Sequence, residues 1–337
     1  MTRPDTDPSC PNQIDWPRFV QLVGARKNIL LTTHHRPDCD AVGSQVGMYH
    51  VLRQLGKQVA TANPFDLPPN LRFLDPEGIL TQFEKVPAET LASIDLLLIL
   101  DTSAWAQLGG MGAVIRTTRA DVAVLDHHLG GDDLGAILFK DTSAEAAGRL
   151  VFEAARHLGA EVTPQIAKPL FAALATDTGW FRFSSTSERT YELAAELVAA
   201  GAQPDQIYKE LYECETLARL NLTGRVLART QVDLGGRLIY TWITLEDFDA
   251  CGALPGDSED LVNMTLAVKG TEFAVILVEQ RTGGFKLSFR SRCDLDCSRL
   301  ASQFGGGGHK NAAGAFIQAP LDEARAKTLA LVRSAMS

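Results

Sequence analysis

Aspartate and histidine carry the spacing in this chain that suggests chemistry. Asp126-His127-His128 ends the apolar run 121–125 and is followed at once by Gly130-Gly131-Asp132-Asp133. An aliphatic run that stops in an acid and two imidazoles, then breaks into a turn, reads as a strand delivering polar groups to a sheet edge. Alone, the tract fits a solvated strand end equally well. Two further tracts tip the balance. His34-His35-Arg36-Pro37-Asp38-Cys39-Asp40 follows the apolar stretch 28–33, and Asp101-Thr102-Ser103 closes the stretch 94–100. Of the seven histidines, those at 34, 35, 127, 128 and 309 fall in polar motifs. A donor set rich in carboxylate, with some imidazole and no thiolate, suits hard or borderline divalent ions, manganese or magnesium before zinc. Asp38 and Asp40, two residues apart in an extended segment, point in different directions, so two ions sharing a bridging carboxylate would use both. Such ions, roughly 3.5–4 Å apart, could lower the pKa of a bridging water toward neutrality and clamp the oxygens of an in-line phosphoryl displacement.

The elements that must position these groups follow from apolar periodicity. Strands are expected at 28–33, 57–62, 94–100, 121–125 and 136–139, and helices at 16–24, 41–55, 105–118, 144–158 and 164–176. The last of these runs into Asp177-Thr178-Gly179-Trp180-Phe181-Arg182-Phe183. Strands alternating with helices imply an α/β fold, a mostly parallel sheet covered on both faces. In such sheets ligand sites lie beyond the carboxyl ends of the strands. Residues 187–229 are helical in pattern, and beyond them the texture changes to hairpins at Gly235-Gly236 and Thr282-Gly283-Gly284. A short helix over 295–304, the run Gly305-Gly306-Gly307-Gly308-His309 and a closing helix over 321–336 complete the chain. The organisation read from this is a flexible N-terminus at 1–15, a catalytic domain at 16–200, a helical linker at 201–229 and a smaller α/β domain at 230–337.

Bulk properties narrow the partners. A length of 337 residues, 45% of them hydrophobic, suits two domains with sizeable cores. The net charge of −9 argues against a sequence-blind binder of long nucleic acid, but not against short anionic substrates held by metal ions and a local basic patch. Residues 281–310 form such a patch. Six scattered cysteines with no C-x-x-C pair argue against structural zinc and a disulfide framework. No apolar export signal or membrane-length run is seen, so a cytoplasmic location is expected.

In family order, His34-x-x-Pro37-Asp38-x-Asp40, Asp101, Asp126-His127-His128 and Asp177-Thr178-Gly179 resemble the four motifs of the DHH phosphoesterase superfamily. Arg290-Ser291 with Gly305-Gly-Gly-Gly-His309 resembles its C-terminal substrate domain, DHHA1. The match covers roughly residues 25 to 320, and its nearest branch is that of the bifunctional oligoribonucleases and pAp phosphatases. The resemblance implies a doubly wound, mostly parallel sheet with a smaller α/β lobe closing over a cleft. It further implies that His34 and Asp38 hold one manganese ion, that Asp40, His127 and Asp177 hold a second, and that Asp101 bridges them. Asp126 would orient a ligating imidazole, and His128 would face the substrate phosphate, stabilising charge or protonating the leaving oxygen. Arg290, Ser291, Arg292, Gly305, Gly306, Gly307, Gly308 and His309 would contact substrate, with the glycines as an N–H cradle, and Arg182 joins them. Substrates would be short RNA oligonucleotides and pAp, and the branch is compatible with a homodimer. Cys39 departs from the family, which usually has glycine there. It would be strained if the position needed a positive φ, and otherwise would set a thiol beside the ions, sensitive to oxidation or soft metals.

Other readings stand beside this one. His35 reads as a loop residue, His50 and His157 as helix residues without a role, and Phe181, Phe183 and Phe304 equally as core or as stacking platforms. A phosphodiesterase of pApA or cyclic di-AMP would share the metal motifs. A RecJ-like exonuclease would need further DNA-binding domains. A family II pyrophosphatase would lack the His309 region, and a non-catalytic nucleotide sensor would have lost ligands that this chain retains.

Overall fold

The run Leu96–Leu100 explains the first half of the molecule. All of its side chains are buried, yet they enter two different cores. Leu96, Leu98 and Leu100 pack with Ile29, Leu31, Ala123 and Leu125 on one face, while Leu97 and Ile99 pack with Leu30 and Val124 on the other. A strand projects successive side chains to opposite faces, so a continuous aliphatic run is what a central strand covered on both sides requires. The computed structural model of the chain describes residues 14–336. It contains two units, Met1–Cys214 and Glu215–Ser337.

In the first unit, strands β1 (Asn28–Thr32), β2 (Gln58–Thr61), β3 (Leu96–Leu100), β4 (Asp121–Asp126) and β5 (Ile137–Lys140) form one sheet in the order β2-β1-β3-β4-β5. Every pairing is parallel. Helices α1 (Trp16–Gly24), α2 (Cys39–Gln54), α3 (Ala88–Ser93), α4 (Met111–Thr117), α5 (Ala147–His157), α6 (Pro164–Asp177), α7 (Glu188–Ala199) and α8 (Pro204–Tyr212) surround it. Residues of α1, α2, α5 and α6 fill the first core, and Met111 and Ile115 of α4 the second. This is the doubly wound arrangement, with its strand order reversing between β1 and β3.

In the second unit, α9 (Leu217–Ala228), β6 (Gln231–Asp233), β7 (Leu238–Ile243), α10 (Leu245–Cys251), α11 (Leu261–Leu266), β8 (Phe273–Glu279), β9 (Phe285–Ser291), α12 (Cys297–Ser302), β10 (Gly307–His309), β11 (Ala312–Ile317) and α13 (Leu321–Met336) follow in sequence. The mixed sheet runs β10-β11-β9-β8-β7-β6, with only β7 and β8 parallel. Helices α12 and α13 cover one face, and α9, α10 and α11 cover the other.

Several expectations are refined. Of the flexible terminus read at 1–15, residues 1–13 lie outside the described residues. Ile14 is buried, and the Asp15 carboxylate accepts from the Arg18 amide to cap α1. The stretch 201–229 is divided between the units. Ile207 of α8 belongs to the first core, and Leu222 and Val226 of α9 belong to the second unit's core. Each short helix has one apolar face, and burying that face in the core of its own unit outweighs any tendency to bridge domains. Helices α3, α10 and α11 and strand β11 were not anticipated, because segments of six or seven residues are too short for a clear period. Among the described residues no helix is long and apolar enough to cross a membrane, and the five described cysteines are free.

One ion-pair cluster stabilises the second unit. Buried Asp247 takes both guanidinium nitrogens of Arg229, is approached by Arg225 at 3.2 Å, and accepts from the Thr244 amide and hydroxyl in a capping box. Burial raises the pKa of this carboxyl, but the arginines and Thr244 outweigh it and hold the group at about 2. A depressed folded-state pKa contributes stability above the unfolded value and loses it as pH falls toward the folded one. Asp247→Asn is therefore expected to cost about 2 kcal/mol at neutral pH. The gap to the wild type should close between about pH 4 and pH 2 in urea unfolding of the full chain. A gap independent of pH would mean that packing, not charge, is what Asp247 supplies.

Candidate active site

The three adjacent strands β1, β3 and β4 all end at the same edge, and each hands its next residues to one cluster. His34 follows β1, Asp101 follows β3, and Asp126, His127 and His128 close β4. Asp38 caps α2 by accepting from the Ala41 amide, and Asp40 lies in the first turn of that helix. Asp177 is the last residue of α6. It reaches the cluster because α2 and α6 pack unusually closely at Gly43 and Gly47. A Cβ at Gly43 would lie 2.3 Å from the Pro169 carbonyl oxygen, and one at Gly47 2.6 Å from the Leu170 side chain.

Asp101 is the centre of the arrangement. Its Oδ2 lies 3.4 Å from His34 Nε2 and its Oδ1 3.3 Å from His127 Nε2, one oxygen for each imidazole. His127 Nε2 is also 3.6 Å from Asp40 Oδ2 and from Asp177 Oδ2, and His34 Nε2 is 3.9 Å from Asp38. Donor atoms of His34, Asp38 and Asp101 lie within 4.8 Å of one another, as do those of Asp40, His127 and Asp177. Asp101 adopts φ 60°, a left-handed conformation that costs a non-glycine residue about 1–3 kcal/mol and is tolerated where the surroundings enforce it.

The donor chemistry fits divalent cations. Asp38, Asp40, Asp101 and Asp177 converge with no lysine or arginine ion-paired to any of them among the described residues. The Asp101 Oδ1 and His34 Nδ1 atoms are buried without a hydrogen-bond partner. Burial, and then the charge of Asp101, drives the Asp40 carboxyl well above its usual range. The same two effects push Asp177 up to about 6. For His127 burial favours the neutral ring, but the adjacent Asp101 and Asp40 carboxylates prevail and raise it. A cluster that recruits protons in this way is short of positive charge. The fixed partners are equally suited. His127 Nδ1 donates to the Ala144 carbonyl at 3.0 Å, leaving Nε2 with the lone pair a metal needs. Asp40 accepts from the Ala147 and Gly148 amides at the start of α5, a helix end that favours an anion.

The two imidazoles of the tract have different supports, which corrects the expected role of Asp126. Fully buried Asp126 does not orient the ligating ring. Its Oδ1 accepts from the Nδ1 and backbone amide of His128 at 2.8 and 3.1 Å. Its Oδ2 accepts from Ser103 Oγ at 2.7 Å and lies 3.0 Å from Lys140 Nζ. Orientation of His127 falls to the Ala144 carbonyl instead. These contacts hold the Asp126 carboxyl well below its ordinary range despite its burial. The bond to Asp126 raises His128, whose ring remains 54% exposed. Ser103 and Lys140 were missed in the sequence. The available signal was Lys140 ending a strand opposite Asp126 in the sheet register.

Cys39 is the first residue of α2 and has no positive φ, so it is unstrained. Its thiol is buried, and burial pushes it up to about 12. Burial thus favours the thiol over the thiolate, the form that reacts with oxidants and soft metals. His35 donates its amide to the Gln107 carbonyl and anchors the loop. Arg182 is exposed, its Nε bonded to the Gly179 carbonyl. Trp180 and Phe181, both at positive φ, pack with Phe171 and, for Trp180, with Tyr208 and Tyr212.

In the second unit, Arg290, Ala312 and His309 occupy one rung across β9, β11 and β10. Arg290 bonds Asn263, and Arg292 and His309 are exposed. Ser291 is buried with its hydroxyl on the Cys293 carbonyl, so it shapes the turn that carries Arg292. The glycine run differs from an open cradle. The Gly305 and Gly306 amides already donate to the Ser302 and Ala301 carbonyls. Gly306 and Gly308 are needed because a Cβ at either would lie 2.2 or 2.6 Å from a β11 carbonyl oxygen. Gly307 and Gly308 belong to the edge strand β10.

Comparison with known proteins places the chain in a family. The family model for the DHH family, N-terminal domain, matches residues 28–178, and that for the DHHA1 domain matches residues 237–337. The chain belongs to the DHH family and is a phosphoesterase. It is 32% identical over 311 residues to the bifunctional oligoribonuclease and PAP phosphatase NrnA of Thermus thermophilus, covering 92% of this chain and 90% of that one. It is 27% identical to the Bacillus subtilis protein of the same name, covering 89% and 92%. Among solved structures, an exopolyphosphatase-related protein from Bacteroides fragilis superposes with a TM-score of 0.80 at 27% identity, over 94% of this chain and 95% of that one.

Proposed function

We propose that this chain is a divalent-metal phosphohydrolase that degrades short oligoribonucleotides to mononucleotides and takes the 3′-phosphate from pAp. The observation that carries the reading is Asp101 standing between two imidazoles, with Asp38, Asp40 and Asp177 around them. His34, Asp38 and Asp101 would hold one ion, and Asp40, His127, Asp177 and Asp101 the other, with manganese preferred and magnesium an alternative. Bound there, the ions would supply a hydroxide-like nucleophile at neutral pH and offset charge on the phosphoryl oxygens. Similarity to the NrnA proteins supports the substrate class.

The protein's own groups carry the rest. His128, steadied by Asp126, directs its free Nε2 at the phosphate and donates a proton to the leaving oxygen. Ser103 and Lys140 keep Asp126 ionised and in place. Arg290, Arg292 and His309 are assigned to substrate contacts on the second unit, with Gly305–Gly308 shaping the backbone beside them, and Arg182 to the first unit's share.

The test is a substrate panel with purified full chain and manganese: a five-nucleotide RNA, pAp, pApA and cyclic di-AMP. Mononucleotides should appear from the RNA and phosphate from pAp, and a chelator should abolish both. Turnover of the dinucleotides alone would replace this reading with a dinucleotide phosphodiesterase, and no turnover of any would end it.

A further inference from the structure

A cavity opens at the same edge of the first unit's sheet, beyond the end of β2 and beside the strand that carries His34. Its volume is about 610 Å³, and its walls include Asn63, Phe65, Arg72, Thr81, Gln82 and Lys85. That volume is in the range of small-molecule sites. None of these residues belongs to the metal cluster.

Behind the cavity wall, two buried amides are incompletely paired among the described residues. Asn63 is 1% exposed, and its Oδ1 accepts from buried Gln45 Nε2 at 2.9 Å. Asn63 Nδ2 and Gln45 Oε1 have no partner. Exchanging oxygen and nitrogen in both amides still leaves one donor and one acceptor unpaired. The Asn63 backbone offers no relief, because its amide donates to Thr81 and its carbonyl accepts from Phe83. Buried side-chain amides are rarely left unsatisfied, but both orphaned atoms are closed off from the cavity.

The walls are preformed. Thr61 Oγ1 donates to the Ile79 carbonyl and accepts from the Thr81 amide. Asp75 accepts from the Ile79 and Leu80 amides at 2.8 and 2.9 Å. Three prolines, Pro64, Pro68 and Pro69, stiffen the opposite side. The rim is basic. Arg72 is exposed and pairs with no carboxylate among the described residues, and Lys85 meets only exposed Asp66 at 3.7 Å. The cavity thus offers a half-buried aromatic ring and two cations for a phosphate. Pro64 packs near Gly109 and His35, which ties the cavity to the loop that follows β1.

We propose that this cavity is a nucleotide subsite, holding a residue of the oligonucleotide one or more steps from the scissile phosphate. Phe65 flanks the base, and Arg72 and Lys85 take the connecting phosphate. The proposal rests on the oligonucleotide reading given above, and it makes the first unit by itself sensitive to substrate length.

The variant Arg72→Ala/Lys85→Ala tests it, since both side chains are exposed and their loss leaves the cores intact. Two quantities are read in the full chain: kcat/KM on a trinucleotide RNA relative to pAp with manganese, and binding of a fluorescent trinucleotide in chelator. The expected result is a relative kcat/KM lowered at least about tenfold, with KM carrying most of it, and binding weakened by a similar factor. Equal losses on both substrates, or no loss on either, would overturn the subsite. If the wild type turned over neither substrate, the oligonucleotide reading would fall. Binding would then decide the cavity's role: a tenfold loss in the variant keeps a nucleotide site there, and unchanged binding removes it.

Discussion

Asp101→Asn is expected to lower metal-dependent kcat/KM on the order of a thousandfold or more, about 4 kcal/mol of transition-state stabilisation. Asn is the sharper replacement, because residue 101 sits at φ 60°, where Asn is tolerated and Ala adds backbone strain to the chemical loss. Its amide keeps the shape and removes the charge. The size of the effect follows from position. Each Asp101 oxygen faces a different imidazole, at 3.4 and 3.3 Å, so one change weakens both candidate ion sites, whereas loss of Asp38 or Asp177 touches one. Folding should not suffer in proportion. Neutralising Asp101 weakens the contacts with His34 and His127 that, against its burial, hold its carboxyl below the ordinary range, but it also removes the charge that raises Asp40 and Asp177. Steady-state kinetics beside manganese titration by calorimetry checks this. Turnover near wild type with two ions still bound would rule out Asp101 as the shared ligand.

The neighbouring histidines should separate metal binding from turnover. His128→Ala is expected to keep its ions and lose about a hundredfold to ten-thousandfold in kcat, the usual worth of a positioned general acid. Asp126 would keep the residue 128 amide, Ser103 and Lys140 as partners, so the variant should fold. His127→Ala should instead lose metal affinity by more than about a hundredfold, because its Nε2 lies within 3.6 Å of Asp40, Asp101 and Asp177. The measurement is bound manganese per chain in each variant, followed by turnover at saturating metal. Loss of metal from the His128 variant, or its retention by the His127 variant, would exchange the two roles.

The candidate ligands were legible because ligand chemistry depends on residue type and on strand ends, both of which are local. A run such as Leu96–Leu100 bounded by Asp95 and Asp101 signals its own termination, and parallel strands in sequence bring their carboxyl ends to one edge. Residues supplying second contacts were not legible in the same way. Ser103 and Lys140 reach Asp126 only through sheet register, and the closeness of α2 and α6 at Gly43 and Gly47 depends on a packing angle that no local period encodes.

The tract Asp126-His127-His128 marks where the two sources of information divide. Its composition and its place at a strand end left a metal site and a solvated strand end equally open, and the resemblance to the DHH superfamily assigned His127 to metal and His128 to phosphate. Which imidazole Asp126 holds was decided by tertiary structure, since the Ala144 carbonyl arrives from 17 residues on to take His127 Nδ1. Hydrogen bonds are directional and short-ranged, so the partner is chosen by the packed backbone. The glycine run was settled the same way: its small residues answer the close approach of β11, a contact that exists only once the sheet has formed.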